Sequence, residues 1–328
     1  MKIGKIPNNT LKKIILDKIT NKRCEVLIRP KIGEDCSALD FGEDACVLSC
    51  DPITGASNEV GRLAVHISCN DIASCGVEPI GLMVALLAPP EATEKELETI
   101  MRQLCETASS LNVDIIGGHT EITDSVNKFI LITTAIGKGS KDKLIKTSDA
   151  KPGDDIIITK TAGIEGTAII SHDKEAELSE KLGKDLIESG KAFINNISVV
   201  KEGIIASKFG VNAMHDITEG GVLGAVWEIA EASGTGCIIE ADKIPVADVT
   251  KIICDYYKID PLKLISSGSM LITCSNGQAL VEELANNGIS SAIIGKITKD
   301  LTKYIVKDSQ LIEIGQPETD ELYKVVAL

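Results

Sequence analysis

The chain has 328 residues with 34 basic and 48 acidic side chains, so its formal net charge is −14. Such an acidic protein repels phosphate backbones, and no run of lysine and arginine is long enough to form a basic surface; we expect no nucleic-acid partner. The longest apolar run, residues 80–90, is too short to span a bilayer, and the first residues lack a signal-peptide pattern. We therefore expect a cytoplasmic protein without a membrane partner, whose ten cysteines are reduced.

Length and composition predict two domains with aliphatic cores. Aromatic residues make up only 3% of the chain, whereas hydrophobic residues make up 44%, which favours a valine- and isoleucine-rich fold. Strands alternate with helices in both halves, so the predicted class is α/β or α+β. The turn at 151–154, Lys-Pro-Gly-Asp, is the best boundary, and we predict domains at 1–148 and 149–328.

Two aspartates lie near the first predicted strands. Asp35 follows a glycine and a glutamate, and Asp51 ends a predicted strand over 45–49. A side chain at a strand end can project from the sheet edge into a cleft. Asp35 could equally be an ordinary turn residue.

The segment 59–76 is predicted to be a helix with a carboxylate on its apolar face. At 100° per residue, Asp71 lies within about 20° of Val60, in the middle of the apolar stripe. A charge on a buried face is costly unless it is paired or binds a metal. Asp71, preceded by the amide of Asn70, is therefore a candidate for a metal or phosphate site. The alternative is that Asp71 caps a turn or that the helix ends before it.

The next elements are a helix over 93–111, a strand over 113–116 and a strand over 129–134. Two glycines are predicted to terminate the strand 113–116, and a histidine and a glutamate follow them, in the segment Gly117-Gly118-His119-Thr120-Glu121.

The second half contains two glycine-rich turns that could bind phosphate. A buried strand is predicted over 156–159, and the turn after it contains Lys160, Gly163 and Gly166 before a helix begins. An ordinary strand-to-helix loop is the alternative. The segment 215–221, His-Asp-Ile-Thr-Glu-Gly-Gly, opens a helix through 222–229, and Asp216 could also be a simple helix N-cap.

These polar residues share one kind of ligand chemistry. Carboxylates at element ends, without a histidine and cysteine cluster, suit Mg²⁺, which prefers carboxylate and phosphate oxygens. The chain has neither a GxxxxGK[ST] nor a GxGxxG motif. The sequence therefore predicts a Mg²⁺-nucleotide site built without a Walker loop.

The motifs, taken in order, resemble the ATP-binding superfamily of aminoimidazole ribonucleotide (AIR) synthase, thiamine-monophosphate kinase, selenophosphate synthetase and HypE. The resemblance covers nearly the whole chain, and HDITEGG with its helix is most similar to the HypE-like branch. The matching segments are GEDCSALD (33–40), CDPITGA (50–56), NDIASCGVEP (70–79), GGHTEIT (117–123), KPGDDIIITKTAGIEGTAI (151–169) and HDITEGGVLGAVWEIAEASGTG (215–236).

The resemblance implies a two-domain AIR synthase-like fold that forms a homodimer through its N-terminal sheets, with ATP and Mg²⁺ near that interface. It implies metal ligation by Asp35, Asp51, Asp71 and Asp216. We assign catalytic roles to Asp71, Glu121 and His215. We further assign cofactor binding to Asp35, Asp51, Asn70, Asp71, Gly117, Gly118, His119, Lys160, Gly163 and Gly166.

The chain departs from its relatives in ways that affect the predicted reaction. HypE carries its reacting group on a C-terminal cysteine, whereas this sequence ends in Tyr-Lys-Val-Val-Ala-Leu, a tail expected to pack rather than react. His119 stands where the kinases have an aspartate. We expect an ATP-dependent enzyme that activates or phosphorylates an amide, carboxylate or phosphate oxygen of a small molecule or a protein-maturation partner. The alternative is a catalytically silent nucleotide-binding accessory or sensor protein.

Overall fold

The structure is a computed structural model that describes residues 5–54 and 59–326. The first half contains α1 (Asn8–Ile14), β1 (Val26–Ile28), β2 (Ser37–Phe41), β3 (Asp44–Ile53), α2 (Val60–Ser74), β4 (Pro79–Ala88), α3 (Glu94–Ser110), β5 (Asp114–Ile122) and β6 (Ile130–Ser140). The second half contains β7 (Asp155–Thr159), α4 (Ile164–Asp173), α5 (Glu175–Leu182), α6 (Lys184–Lys191), α7 (Val200–Phe209), β8 (Ala213–Asp216), α8 (Gly221–Ser233), β9 (Gly236–Glu240), α9 (Asp248–Tyr257), β10 (Met270–Cys274), α10 (Gly277–Asn286), β11 (Ser291–Thr298), β12 (Lys303–Lys307) and β13 (Gln310–Glu313).

The first sheet has six strands in the order β1-β2-β3-β6-β4-β5, and only the β4–β5 pair is parallel. Helices α2 and α3 pack together beside it. The helix predicted over 93–111 is confirmed as α3, with Thr93 as its N-cap and Leu111 as its C-cap. A reciprocal capping box between Thr93 and Glu96 fixes its start, because each side chain satisfies a backbone N–H group that the helix leaves unpaired.

Helix α2 is buried along almost its entire length, which explains why it is apolar on more than one side. It packs against β3 and β6 of the first sheet and also against α7 and β8 of the second half. The predicted helix over 59–76 is confirmed, and Asp71 lies within it rather than beyond its end. The buried carboxylate of Asp71 is therefore held where the two halves meet.

The second sheet has seven strands in the order β13-β12-β9-β11-β7-β10-β8. Its interior strand β7, between β11 and β10, contains the run Ile156–Ile158, which is fully buried because apolar residues pack on both faces. The mixed α/β class and the two-sheet architecture agree with the predicted fold. The predicted boundary at 148 and 149 falls between the two sheets and remains a prediction.

The prediction that Gly117 and Gly118 terminate a strand is wrong, because β5 continues through them to Ile122. A Cβ atom at Gly118 would lie 1.9 Å from the Val84 carbonyl oxygen, and φ at this residue is +153°. Gly118 thus lets the edge strand β5 approach β4 closely, and neither glycine ends the strand. Asp51 likewise lies within β3, which extends to Ile53.

The described part of the tail packs, as expected: Leu322, Val325 and Val326 are buried in an apolar cluster with residues of α4 and α9. Residues 327 and 328, like positions 55 and 56 of the CDPITGA segment, lie outside the described residues. All ten cysteines are free thiols. In the described ranges, no helix combines the length and the apolar character needed to cross a membrane.

Candidate nucleotide and metal site

Four predicted aspartates meet between the two halves of the chain. Asp35 lies in the loop before β2, Asp51 on β3, Asp71 on α2 and Asp216 at the end of β8. Burial raises the pKa of Asp71 well above its ordinary range, and the charges of Asp216, Asp51 and Asp35 raise it further. Carboxylates contributed by separate elements therefore lie close enough to repel one another.

One hydroxyl group serves two of these carboxylates. The Ser49 Oγ atom lies 3.0 Å from Asp51 Oδ2 and also contacts Asp71 Oδ2. Because a serine hydroxyl carries a single proton, it can donate to only one of them at a time. The Asp51 and Asp71 pair is thus short of positive charge, a shortage that a proton or a bound cation can relieve.

His215 lies between two carboxylates from different elements. Its Nδ1 atom is 2.6 Å from Asp35 Oδ1, and its Nε2 atom is 3.0 Å from Glu228 Oε2 on α8. The first contact is an ion pair whose angle departs from that of a regular hydrogen bond. Burial alone would lower the pKa of His215, but Asp35 and Glu228 raise it well above its ordinary value. The imidazolium therefore joins the two halves and orients Asp35.

Asp35, His215 and Asp216 offer ligand atoms that all lie within 4.8 Å of one another. The Oδ2 atom of Asp216 is buried and has no hydrogen-bond partner among the residues that the structure describes. Burial and the charge of Asp35 raise the pKa of Asp216 to about 7, although His215 opposes the shift. An orphaned carboxylate oxygen beside further carboxylates is a donor set that fits Mg²⁺. This arrangement can hold a hard cation, with ligands supplied from both halves.

Asn70 has both ends of its amide occupied by the backbone of the second half. Its Nδ2 atom donates to the Ile197 carbonyl oxygen, and its Oδ1 atom accepts from the Val199 N–H, both at 2.8 Å. Because its amide donates one hydrogen bond and accepts another, Asn70 fixes the segment 197–199 against α2. Its predicted contact with a nucleotide remains untested.

The structure does not bring His119 and Glu121 to the aspartates within one chain. Residues that pair on neighbouring strands share a face of the sheet, and the buried Val84 of β4 pairs with Gly118. His119 and Glu121 lie one and three positions after Gly118, so their side chains are on the opposite face, which is turned away from α2. They are exposed, with His119 Nε2 lying 3.7 Å from Glu121 Oε2.

The glycine-rich turn before α4 is engaged by other parts of the protein. Lys160 lies 2.7 Å from Glu202 and donates to the carbonyl oxygens of Asn196 and Ser198. The Gly163 N–H donates to Ser266 Oγ. The placement of Gly166 before the helix is wrong, because α4 begins at Ile164 and Gly166 lies in its first turn, where a Cβ atom would be 2.4 Å from the Leu264 side chain. These contacts make the turn a packed connection, and the predicted binding of phosphate there remains untested.

The comparisons with known proteins give the family. Residues 33–138 match the model of the AIR synthase related protein, N-terminal domain, and residues 151–307 match the corresponding C-terminal domain. A protein of Methanocaldococcus jannaschii named for hydrogenase expression/formation is 30% identical over 313 residues, 93% of this chain and 91% of its own. This chain belongs to the AIR synthase-related family.

Within that family, the chain lies in the HypE-like branch. Carbamoyl dehydratase HypE of Cupriavidus necator is 26% identical over 263 residues, which cover 78% of this chain and 72% of that protein. The crystal structure of the hydrogenase maturation protein HypE in complex with ATP superposes with a TM-score of 0.70 and 20% identity. The superposition covers 90% of this chain and 92% of that one, which supports the same two-domain fold.

Two residues of the site, Ser49 and Glu228, were not predicted from the sequence. Ser49 lies two positions before Asp51 on β3, so the two side chains share a face of the strand, and this spacing could have identified Ser49. Glu228 is buried on the apolar helix α8, where it follows Gly221 by two helical turns. The argument that identified Asp71, a carboxylate on an apolar helix face, also applies to Glu228.

Proposed function

We propose that this chain is an ATP- and Mg²⁺-dependent enzyme that activates or phosphorylates an amide, carboxylate or phosphate oxygen. The observation that carries the proposal is the group of four aspartates between the two halves of the chain, of which Asp71 and Asp216 are buried. The described side chains only partly compensate the negative charge of this group. The HypE relatives, one of them crystallised with ATP, support a nucleotide as the ligand.

Each residue of the site has a distinct task in this proposal. Asp35, Asp51, Asp71 and Asp216 would hold Mg²⁺, which when bound neutralises the triphosphate and orients it for in-line transfer. The Ser49 hydroxyl orients Asp51 and Asp71. His215 is buried and both of its ring nitrogens contact carboxylates, so in this proposal it acts as a positioning residue for Asp35.

The acceptor is proposed to be a separate small molecule or a protein-maturation partner. The tail residues up to Val326 are packed, with Leu322, Val325 and Val326 buried. A group fixed in this way cannot swing into the aspartate site to be modified there. The free cysteines fit a reducing cytoplasm as the place of action.

A homodimer is also part of the proposal. Ile80, Met83 and Ile116 are about half exposed, at 50%, 48% and 56%, in the β4 and β5 strands of the first sheet. Exposed apolar groups of this size on one sheet often mark an interface. Pairing through this sheet would also place His119 and Glu121 against a second copy.

Calorimetric titration with ATP, with and without Mg²⁺, tests the proposed site. In the Asp71→Asn variant we expect the Mg²⁺-dependent part of ATP binding to disappear, because the amide removes one negative oxygen ligand from the centre of the cluster. The matched control is Asp114→Asn, which changes an exposed aspartate on β5 and should bind Mg²⁺-ATP like the parent. Parent-like binding by Asp71→Asn would show that Asp71 is structural.

Turnover separates an enzyme from a silent nucleotide sensor. If the chain is an enzyme, ADP formation should rise when fractions of a cell extract supply the missing acceptor. Bound nucleotide without turnover in the presence of every fraction would instead favour the accessory or sensor protein.

A further inference from the structure

The start of the described chain lies against the loop that follows Asp216. The Lys5 backbone N–H donates to Glu219 Oε2, and the Lys5 Nζ atom donates to Thr218 Oγ1, both at 3.1 Å. These bonds join residues 214 and 213 positions apart in the sequence. Thr218 and Glu219 lie two and three residues after Asp216, the proposed metal ligand at the end of β8. Lys5 therefore reaches the rim of the proposed site.

The loop that receives Lys5 is anchored from its other side. The second oxygen of Glu219, Oε1, accepts a hydrogen bond from the Tyr323 hydroxyl at 2.7 Å. Asp320 Oδ2 accepts from the Gly220 N–H, also at 2.7 Å. The docking points of Lys5 are therefore fixed by the packed tail, so the position of its side chain is set by the fold.

The Lys5 ammonium lies in a strongly negative field. Removal from water alone would lower its pKa, but the charges of Glu228, Glu219, Asp216 and Asp35 raise the pKa well above its ordinary value. Two of these four residues are proposed metal ligands. In the described part of the chain, however, no carboxylate lies within ion-pair distance of Lys5 Nζ, whose hydrogen bond goes to the neutral hydroxyl of Thr218.

An ammonium group has three N–H donors, and one bond to a hydroxyl leaves two of them available for a ligand. A cation held next to metal-binding carboxylates, but not paired with one, matches the place where a triphosphate would carry its negative charge. Lysine acts on phosphate as a compact point charge.

We infer that Lys5, held at the second-domain rim of the site, contacts the terminal phosphate of ATP. The inference rests on the proposed function and adds a residue to it. During transfer, the bond between the terminal phosphorus and the bridging oxygen of ADP breaks as a bond to the acceptor oxygen forms. Lys5 stays protonated throughout and stabilises charge on the transferred group, exchanging no proton.

Comparison of ATP with ADP tests this contact, because only ATP has the third phosphate. In Lys5→Met, which keeps the length of the side chain but removes its charge, the Kd for ATP with saturating Mg²⁺ should rise about tenfold or more. The Kd for ADP should stay within about twofold. Lys5→Arg should restore part of the ATP affinity, and Lys12→Ala, on the exposed face of α1, should change neither constant.

The outcomes separate this inference from the proposed function. If the parent protein binds no Mg²⁺-ATP, the proposed function fails and the role of Lys5 fails with it. If the parent binds ATP but Lys5→Met binds it unchanged, or loses ATP and ADP equally, the terminal-phosphate contact is refuted while the site stands. Failure of Lys5→Arg to restore any affinity would also refute a contact based on charge. Far-ultraviolet circular dichroism establishes that each variant is folded.

Discussion

At the scale of single residues, the site depends on a few buried charges that compensate one another only in part. His215 is the clearest case, because it compensates Asp35 from the first domain and Glu228 from the second. Taking three charged groups out of water is costly, and their mutual attraction offsets the cost only while all three are present. Removal of the central cation leaves two buried carboxylates facing each other.

We therefore predict that His215→Asn lowers the free energy of unfolding by about 3 kcal/mol, as expected when one member of a buried ionic group is removed. Urea denaturation monitored by circular dichroism measures this loss. The control is Lys22→Asn, because Lys22 is an exposed loop residue outside the site and its replacement should cost less than about 0.5 kcal/mol. Equal losses in the two variants would contradict the bridging role of His215.

Glu165 on α4 is a buried carboxylate outside the group of four aspartates. Burial raises its pKa to about 7, the charges of Asp320 and Glu219 add to the shift, and Ser267 opposes it. Its ordinary value is 4.5, so between these two pH values the folded state retains a proton that the unfolded state has lost. The contribution of Glu165 to the free energy of unfolding is therefore fully present below pH 4.5 and is lost as the pH rises through about 7.

We predict that Glu165→Gln, which mimics the protonated carboxyl, makes the protein more stable than the parent at pH 8 and about equally stable at pH 5. The difference at pH 8 should reach at most about 3 kcal/mol, from the size of the shift in pKa. Urea titrations at both pH values measure it. Glu98→Gln, an exposed change on α3, should show no such dependence, and a parent-like pH profile of Glu165→Gln would disprove the assignment.

At the scale of helices and strands, the sequence was informative wherever one face of an element had to be buried. The apolar spacing of α3 and α2 predicted both helices to within a few residues, and the same spacing marked Asp71 as a buried carboxylate. The isoleucine run of β7 was equally clear, because a strand covered on both faces has a continuous apolar sequence.

Glycine-rich segments were harder to interpret, because a glycine in a turn, at a close backbone contact or in a phosphate-binding loop looks the same in the sequence. Gly117 and Gly118 predicted a strand end but lie inside β5. The absence of a side chain at Gly118 permits close approach to β4. Gly166 predicted a phosphate cradle but packs against Leu264. Contacts of Lys5 with Thr218 and Glu219 join distant parts of the chain, and no local pattern predicts them.

At the scale of the whole molecule, the proposed site is a seam, that is, an interface between the two domains with ligands on both sides. Asp35, Asp51 and Asp71 lie on one side, and His215 and Asp216 on the other. Helix α2 belongs to the first domain but packs on α7 and β8 of the second, so it sets the spacing across the seam. A change in the relative position of the domains would therefore alter the distances between the proposed metal ligands.

The exposed apolar side chains of the first sheet concern the assembly beyond one chain. If a second copy covers them, light scattering should give a molar mass of twice 34.8 kDa for the parent.

We predict that Met83→Asp yields monomers, because dimer formation would bury its carboxylate against an apolar surface. Mg²⁺-ATP binding should weaken in the same variant, since His119 and Glu121 lie on the same face of β5 and would lose their partner surface. Met101→Asp, which introduces the same charge at a residue of α3 that is 38% exposed, should remain dimeric and bind normally. A parent that is monomeric and still binds Mg²⁺-ATP fully would show that the site is complete within one chain, and that His119 and Glu121 have no part in it.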